Sequence, residues 1–219
     1  MKQFDRAALA PILNEGIAAL GLDLSADQTE KLLDYLALLA KWNSVYNLTS
    51  VRDPMQMLTL HVLDSLAAVP AFADAKNVLD VGAGGGLPGM VLAIARPDIQ
   101  VSMIDTVHKK TAFLTQVKAE LGLSNVTVYT KRVEQLEVQQ KFDVITSRAF
   151  ADLSDFVNWS NHVLAEGGQF IALKGVAPPD ERERLPADWK VTQLRAIQVP
   201  GLNAERHLVL IARVQESEN

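Results

Sequence analysis

The sequence predicts an α/β fold in which a doubly wound, mostly parallel sheet closes on an antiparallel hairpin, with a helical appendage ahead of it. Three observations carry this. Beyond Asn77, short apolar runs alternate with helical stretches, and strands alternating with helices need right-handed crossovers onto a mainly parallel sheet. The last two β-type runs, KVTQLRAIQV (190–199) and HLVLIARV (207–214), are joined only by PGLNAER. That link allows a hairpin and is too short for a parallel crossover. Residues 1–70, finally, carry almost wholly helical patterning.

Taken in order, a first helix runs from about Asp5 to Leu20 and stops at Gly21, a residue suited to the left-handed turn after a helix. Ser25 with Gln28 forms a capping box, opening a helix with Leu32, Leu33, Leu36, Leu39 and Ala40 at helical spacing. The polar-aromatic stretch WNSVYNLTSVR (42–52) reads as a loop. Asp53-Pro54 then gives an N-cap with proline in the first turn. The helix it opens places Met57, Leu60, Leu63 and Leu66 on one face and ends near Pro70. Strands follow at NVLDV (77–81), QVSMID (100–105), NVTVYT (125–130), FDVITS (142–147) and QFIALK (169–174), with helices near 89–95, 108–121 and 152–164. The domain division expected is an appendage over 1–70 and a nucleotide-binding domain over 71–219.

Composition narrows the chemistry. With no cysteine in 219 residues, Cys-ligated metal sites and cysteine nucleophiles are excluded, and no metal is expected. No apolar run approaches the roughly 20 residues of a membrane span, and MKQFDRAALA lacks the apolar core of a signal peptide. A cytoplasmic protein without membrane contact, acting as a monomer, is the expectation. The net charge of -5 argues against a generally basic nucleic-acid binder and leaves a local basic patch open.

The strongest motif is LDVGAGGGLPG (79–89), between a strand and a helix. Gly82, Gly84 and Gly86 let the backbone turn sharply and approach a ligand, with a helix N-terminus just beyond. Asp105, at the end of the second strand, can accept hydrogen bonds from both hydroxyls of a ribose. The loop therefore reads as an adenosine site, against the plain alternative of a Gly-rich turn. Gly84-x-Gly86-x-x-Gly89 matches the dinucleotide fingerprint formally but begins late relative to the strand and contains Pro88. Asp80, two residues before the first glycine, suits a ligand with a cationic amino-acid tail better than a pyrophosphate it would repel. S-adenosylmethionine has such a tail. Seven-stranded, Rossmann-like class I methyltransferase sheets also end antiparallel, which favours a methyltransferase over a dehydrogenase.

GAGGGLPG, WNSVYNLTSVRD, HVLDSL (61–66), SRAFA (147–151), LKG (173–175) and ERHL (205–208), in that order from about Leu24 to Val214, resemble the glucose-inhibited division protein B family. Its members are guanine-N7 methyltransferases of 16S ribosomal RNA. The resemblance implies that the glycine loop holds S-adenosylmethionine through Gly82, Gly84 and Leu87. It places Val133 and Glu134 of KRVEQL against the adenine, and Arg148 of SRA at the cofactor site. Lys174 and Arg206 match basic positions on the RNA side. The residues themselves leave plainer readings open: Arg148 as a cap or ion pair, Lys174 as a solvated strand end, Arg206 as a partner of Glu205 or a neighbour, Lys109-Lys110 as a solvated helix start. His61 and Asp64 read as a buried hydrogen-bonded pair.

Absences narrow the methyl acceptor. The turn after the fourth strand reads SRAF, without the Asn/Asp-Pro-Pro-aromatic pattern of adenine amino methylation. Carbon-5 methylation of pyrimidines needs a thiolate that this chain lacks. Guanine N7 already carries an exposed lone pair and needs no general base, and no catalytic residue is assigned. Arg52, Arg148, Lys174 and Arg206 are expected to converge at the carboxyl edge, with the small ribosomal subunit or its precursor sharing the recognition. A small-molecule O- or N-methyltransferase, and a non-catalytic adenosine-nucleotide-binding assembly factor, are the alternatives.

Overall fold

The computed structural model describes residues 3–150, 152–176 and 184–214. Ala151 of SRAFA and the tail QESEN fall outside them. Helix α1 (Arg6–Ala19) starts at Asp5, whose side chain accepts from the Ala8 N–H, and α2 (Ala26–Tyr46) starts at the capping box Ser25–Gln28. Gln28 does more than cap. Its Nε2 donates to the carbonyls of Ile94 and Ala95 at 3.0 and 2.9 Å, tying the start of α2 to a helix of the sheet domain.

Helix α2 runs further than expected. Trp42 to Tyr46 are helical, and Asn47, at φ 51°, ends the helix. Packing outweighs the polar composition of WNSVY, because Asn43 is buried and the Trp42 ring lies 5.5 Å from that of Phe113. The next helical stretch is also irregular. After α3 (Pro54–Met57) the turn widens to a π-helix over Leu58–Leu63, followed by α4 (Asp64–Ala68) and a 3₁₀ turn over Val69–Phe72. The extra residue rotates the buried face. Leu58, Val62 and Leu63 point inward, while Leu60, expected on that face, is half-exposed. By length and composition the 19 residues Pro54–Phe72 are apolar enough to span a membrane, contrary to the sequence expectation, but most of the stretch is buried inside the protein as a core helix.

The sheet has seven strands in the order β3-β2-β1-β4-β5-β7-β6. Strands β1 (Asn77–Val81), β2 (Gln100–Asp105), β3 (Val126–Thr130), β4 (Phe142–Ser147) and β5 (Leu164–Lys174) pair in parallel. β6 (Trp189–Ala196) and β7 (His207–Arg213) form the expected hairpin, with β7 antiparallel to both β5 and β6. Alternation along β1 and β4 splits the core. Val78 and Val144 face a layer shared with α1, α2, the 54–72 stretch, α5 (Gly89–Ala95) and α6 (His108–Leu121), whereas Leu79, Val81 and Ile145 face α7 (Leu153–Ser160). The N-terminal helices therefore share one continuous core with the sheet.

Candidate functional site

Strand β1 connects outward to β2 on one side, and β4 connects outward to β5 on the other. Such a reversal opens a crevice at the carboxyl edge, where open α/β sheets bind ligands. A cleft of about 580 Å³ stands there, walled by Val81, Gly82, Asp105, Lys110, Val133 and Glu134 among others.

The glycine loop forms one rim. Gly82 has φ +69°, and a Cβ built on it would stand 3.1 Å from that of Ala149. Only a residue without a side chain fits both the conformation and the close approach. Asp105 organises the rim. Its Oδ2 accepts from the Gly84 N–H at 3.0 Å and its Oδ1 from the Val107 N–H at 2.9 Å, with the Lys110 Nζ 3.7 Å from Oδ2. Each carboxylate oxygen still has a lone pair for a further donor such as a sugar hydroxyl.

Of the expected cofactor residues, Gly82, Asp105, Val133 and Glu134 line this cleft. Gly84 and Leu87 support it instead, the first by holding Asp105 and the second as a buried core residue. Asp80 lies beneath the loop. It is fully buried, its Oδ2 accepts from the Gly89 N–H at 2.8 Å, and its Oδ1 has no hydrogen-bond partner. Burial pushes its carboxyl up to about 7, a shift tempered by the Gly89 N–H and by the charge of Arg148. An orphaned carboxylate oxygen under the loop favours a cationic group above it. The cleft wall mixes Asp105, Glu134, Asp152 and Asp155 with Lys110, Lys131 and Arg132. That mixture suits a nucleoside with a zwitterionic tail better than a diphosphate.

Arg148 turns the other way. Its Nη1 donates to the Leu60 carbonyl at 3.1 Å and lies 3.4 Å from Asp64 Oδ2, while its Nη2 stands 3.4 Å from His61 Nδ1. It lines a second cleft of about 290 Å³ on the same edge, together with Asp64, Lys174 and Arg206. Arg206 Nε donates to Asp64 Oδ1 at 2.8 Å, and Lys174 Nζ to the Phe150 carbonyl at 2.9 Å. Three of the four cations expected to converge thus do so. Arg52 does not. Its guanidinium donates to the Asn43 carbonyl and the Asn47 side chain, bracing the end of α2.

His61 and Asp64 are not bonded to each other as expected; both face Arg148 instead. Arg148 reaches between them to the Leu60 carbonyl, on one turn of the same helical stretch. Burial first, and then the Arg148 charge, lower His61 to about 4. Its ring is neutral at pH 7, with Nε2 2.8 Å from Thr49 Oγ1. With a guanidinium donor facing Nδ1, the ring proton belongs on Nε2. Asp64 as a bridge between two arginines escaped the sequence reading. The only available signal was an acid inside an apolar helix.

A family model described as GidB, rRNA small subunit methyltransferase G, matches residues 28–209. The ribosomal RNA small subunit methyltransferase G of Janthinobacterium sp. (strain Marseille) is 71% identical over 217 residues, 97% of this chain and 99% of that protein. The enzyme of the same description from Herminiimonas arsenicoxydans is 70% identical over 97% of this chain and all of its own length. The chain belongs to the GidB family of small-subunit ribosomal RNA methyltransferases. The fold of this GidB methyltransferase is also that of more distant enzymes. The O-methyltransferase TomG of Streptomyces achromogenes, solved in complex with SAM, superposes with a TM-score of 0.60 over 92% of this chain and 96% of its own at 17% identity. The glycopeptide N-methyltransferase MtfA gives 0.59 over 70% of this chain and 96% of its own at 12% identity. At such identities the likeness is one of architecture, and it agrees with the seven-stranded methyltransferase sheet expected from the sequence.

Proposed function

We propose that this chain transfers the methyl group of S-adenosylmethionine to the N7 of a guanine in 16S ribosomal RNA, holding the cofactor in the larger cleft and the RNA over the smaller one. The observation that carries this reading is the adjacency of two unlike sites on one sheet edge. One is a glycine-rimmed cleft with an anchored carboxylate. The other holds three cations around one buried acid.

The residues divide the work. Asp105, fixed by two backbone N–H groups, accepts the ribose hydroxyls, and Val133 and Glu134 flank the adenine. Gly82 brings backbone close to the amino-acid tail, whose positive charge is matched by Asp80 beneath the loop. S-adenosylmethionine, when bound, supplies an electrophilic methyl on a sulfonium sulfur, so that transfer breaks the S–CH₃ bond, forms N7–CH₃ and leaves a neutral thioether. The acceptor lone pair needs no proton removed, so the transfer requires no general base. What the chain contributes is alignment, and orientation of this kind supplies at most about 7–11 kcal/mol. Arg148, Lys174 and Arg206 serve the RNA phosphates. With a net charge of -5 the chain has little general attraction for naked RNA, and an assembled small subunit or its precursor, in the cytoplasm, is the acceptor of a chain that acts as a monomer.

The test is labelled-methyl incorporation into small subunits purified from cells lacking the enzyme, beside short transcripts of the same RNA. Subunits are expected to be much the better acceptor. Gly82→Val, which puts a β-branched side chain at φ +69° against Ala149, is expected to remove S-adenosylhomocysteine binding in calorimetry while the protein stays folded. Retained binding would displace the cofactor from this cleft. Tight cofactor binding without transfer to any RNA would favour the small-molecule or non-catalytic alternatives.

A further inference from the structure

Among the described residues five large hydrophobic side chains are exposed, and two of them, Val45 (68%) and Tyr46 (42%), are neighbours at the end of α2. Nothing in the cofactor cleft or in the cluster around Asp64 uses them. Helix α2 starts against the Ala95 carbonyl at the end of α5 and passes the glycine loop at Tyr35, whose hydroxyl donates to the Gly85 carbonyl at 2.6 Å. The end of α2 therefore lies past the glycine loop. Helix α6 begins directly after Asp105, and Phe113 on its second turn meets the Trp42 ring at 5.5 Å. Trp42 in turn packs against Tyr46, with ring centroids 5.2 Å apart. The half-buried indole thus holds the exposed phenol ring in place.

The charge at this corner is one-sided. No Asp or Glu occurs from Tyr35 to Arg52, which includes Lys41 and Arg52, nor from Thr106 to Ala119, which includes Lys109 and Lys110. Lys41, Arg52, His108 and Lys109 are exposed. In a chain with net charge -5, two segments that meet at Trp42 and Phe113 and carry the exposed Lys41, Arg52 and Lys109 beside a supported aromatic ring are complementary to a polyanion with flat rings. Single-stranded nucleic acid is such a partner: aromatic side chains stack its bases and cations track its phosphates. An apolar protein partner would need a larger greasy face and no such cations.

We infer that Tyr46, backed by Trp42 and with the exposed Lys41, Arg52 and Lys109 on the adjoining segments, is a stacking platform for an unpaired base of the RNA beside the methylated guanine. The inference rests on the RNA methyltransferase reading and adds to it a site for flanking sequence, outside both clefts.

The experiment uses the full chain saturated with S-adenosylhomocysteine. Binding of a fluorescent single-stranded RNA is followed by anisotropy over a salt series, and KM and kcat are measured for methylation of purified small subunits. Tyr46→Ala is expected to weaken RNA binding roughly 5- to 150-fold, the span of one lost base stack, and to raise KM with kcat little changed. Tyr46→Phe keeps the ring and is expected to stay within about twofold of wild type. Lys41→Ala and Lys109→Ala, both surface changes, are each expected to make the salt slope shallower by about 0.7. Cofactor affinity should be unchanged throughout. Wild-type RNA affinity and KM in Tyr46→Ala would overturn the platform and leave the RNA methyltransferase reading standing. A raised KM on subunits with unchanged affinity for RNA would assign the corner to a ribosomal protein and equally overturn it. A wild-type protein that neither binds RNA nor methylates subunits would take down the underlying reading and the platform together.

Discussion

Asp64 shows how one buried side chain sets the posture of a site. Its two oxygens hold Arg206 and Arg148, which reach it from the start of β7 and the end of β4. Without the carboxylate the two guanidiniums repel each other and lose their shared acceptor. Asp64→Asn is expected to lower kcat/KM for methyl transfer at least about tenfold and to cost about 2 kcal/mol of stability. That cost lies below the usual one for breaking a buried pair, because both arginines keep some solvent contact. Affinity for S-adenosylhomocysteine should hold; a loss of cofactor binding equal to the loss of rate would make Asp64 part of the cofactor site instead. Arg148→Lys should restore little of the rate lost in Arg148→Ala, since a point charge cannot meet the Leu60 carbonyl, Asp64 and His61 at once. Full rescue by lysine would show that charge alone matters there.

Two other buried groups give stability opposite dependences on pH. His61, lowered to about 4, binds fewer protons folded than unfolded between that value and its ordinary 6.5, so it makes stability rise with pH across that interval. Asp80, raised to about 7, keeps a proton that the unfolded chain has lost above about pH 4, so its contribution falls as pH rises to 7. Asp80→Asn is therefore expected to steepen the rise in unfolding free energy from about pH 4.5 to 6.5, and His61→Gln to flatten or reverse it, in denaturant titrations at several pH values. Three parallel pH profiles would show that neither group titrates as its surroundings imply.

At the scale of elements, Gln28 is the clearest joint. It completes the capping box of α2 and satisfies the last carbonyls of α5, so one side chain fastens the N-terminal helices to the sheet domain. Gln28→Ala is expected to cost about 1–2 kcal/mol in urea unfolding, with a single transition because the core is continuous; an unchanged midpoint would mean that water replaces these bonds at no cost. The capping box was legible in the sequence, whereas its attachment to α5 was not, since the partners are 66 and 67 residues away. The same divide runs through the rest of the chain. Strands β1, β2 and β4 and helices α5 and α6 follow from local patterning. The extension of α2 to Tyr46 depends on Phe113, and the π turn on its surroundings in the core, so neither could be read from spacing. In the site, the glycine loop and Asp105 were legible because backbone conformation and position at a strand end are local properties. The orientation of Arg148 was not, because Leu60 and Asp64 are brought to it only by folding.

For the whole molecule, an acidic chain gathers Arg148, Lys174 and Arg206 at the carboxyl edge of its sheet. The glycine-rimmed cleft and the cluster around Asp64 lie on that edge, and the aromatic corner of α2 lies past the glycine loop. On this reading the edge delivers a methyl group to guanine N7. The most direct measurement is mass spectrometry of nucleosides from 16S ribosomal RNA of small subunits lacking the modification, before and after incubation with the purified protein and S-adenosylmethionine. 7-Methylguanosine is expected to appear, approaching one per particle, and to be strongly reduced with Arg148→Ala. A different methylated nucleoside, or none although the protein binds the cofactor, would contradict this reading.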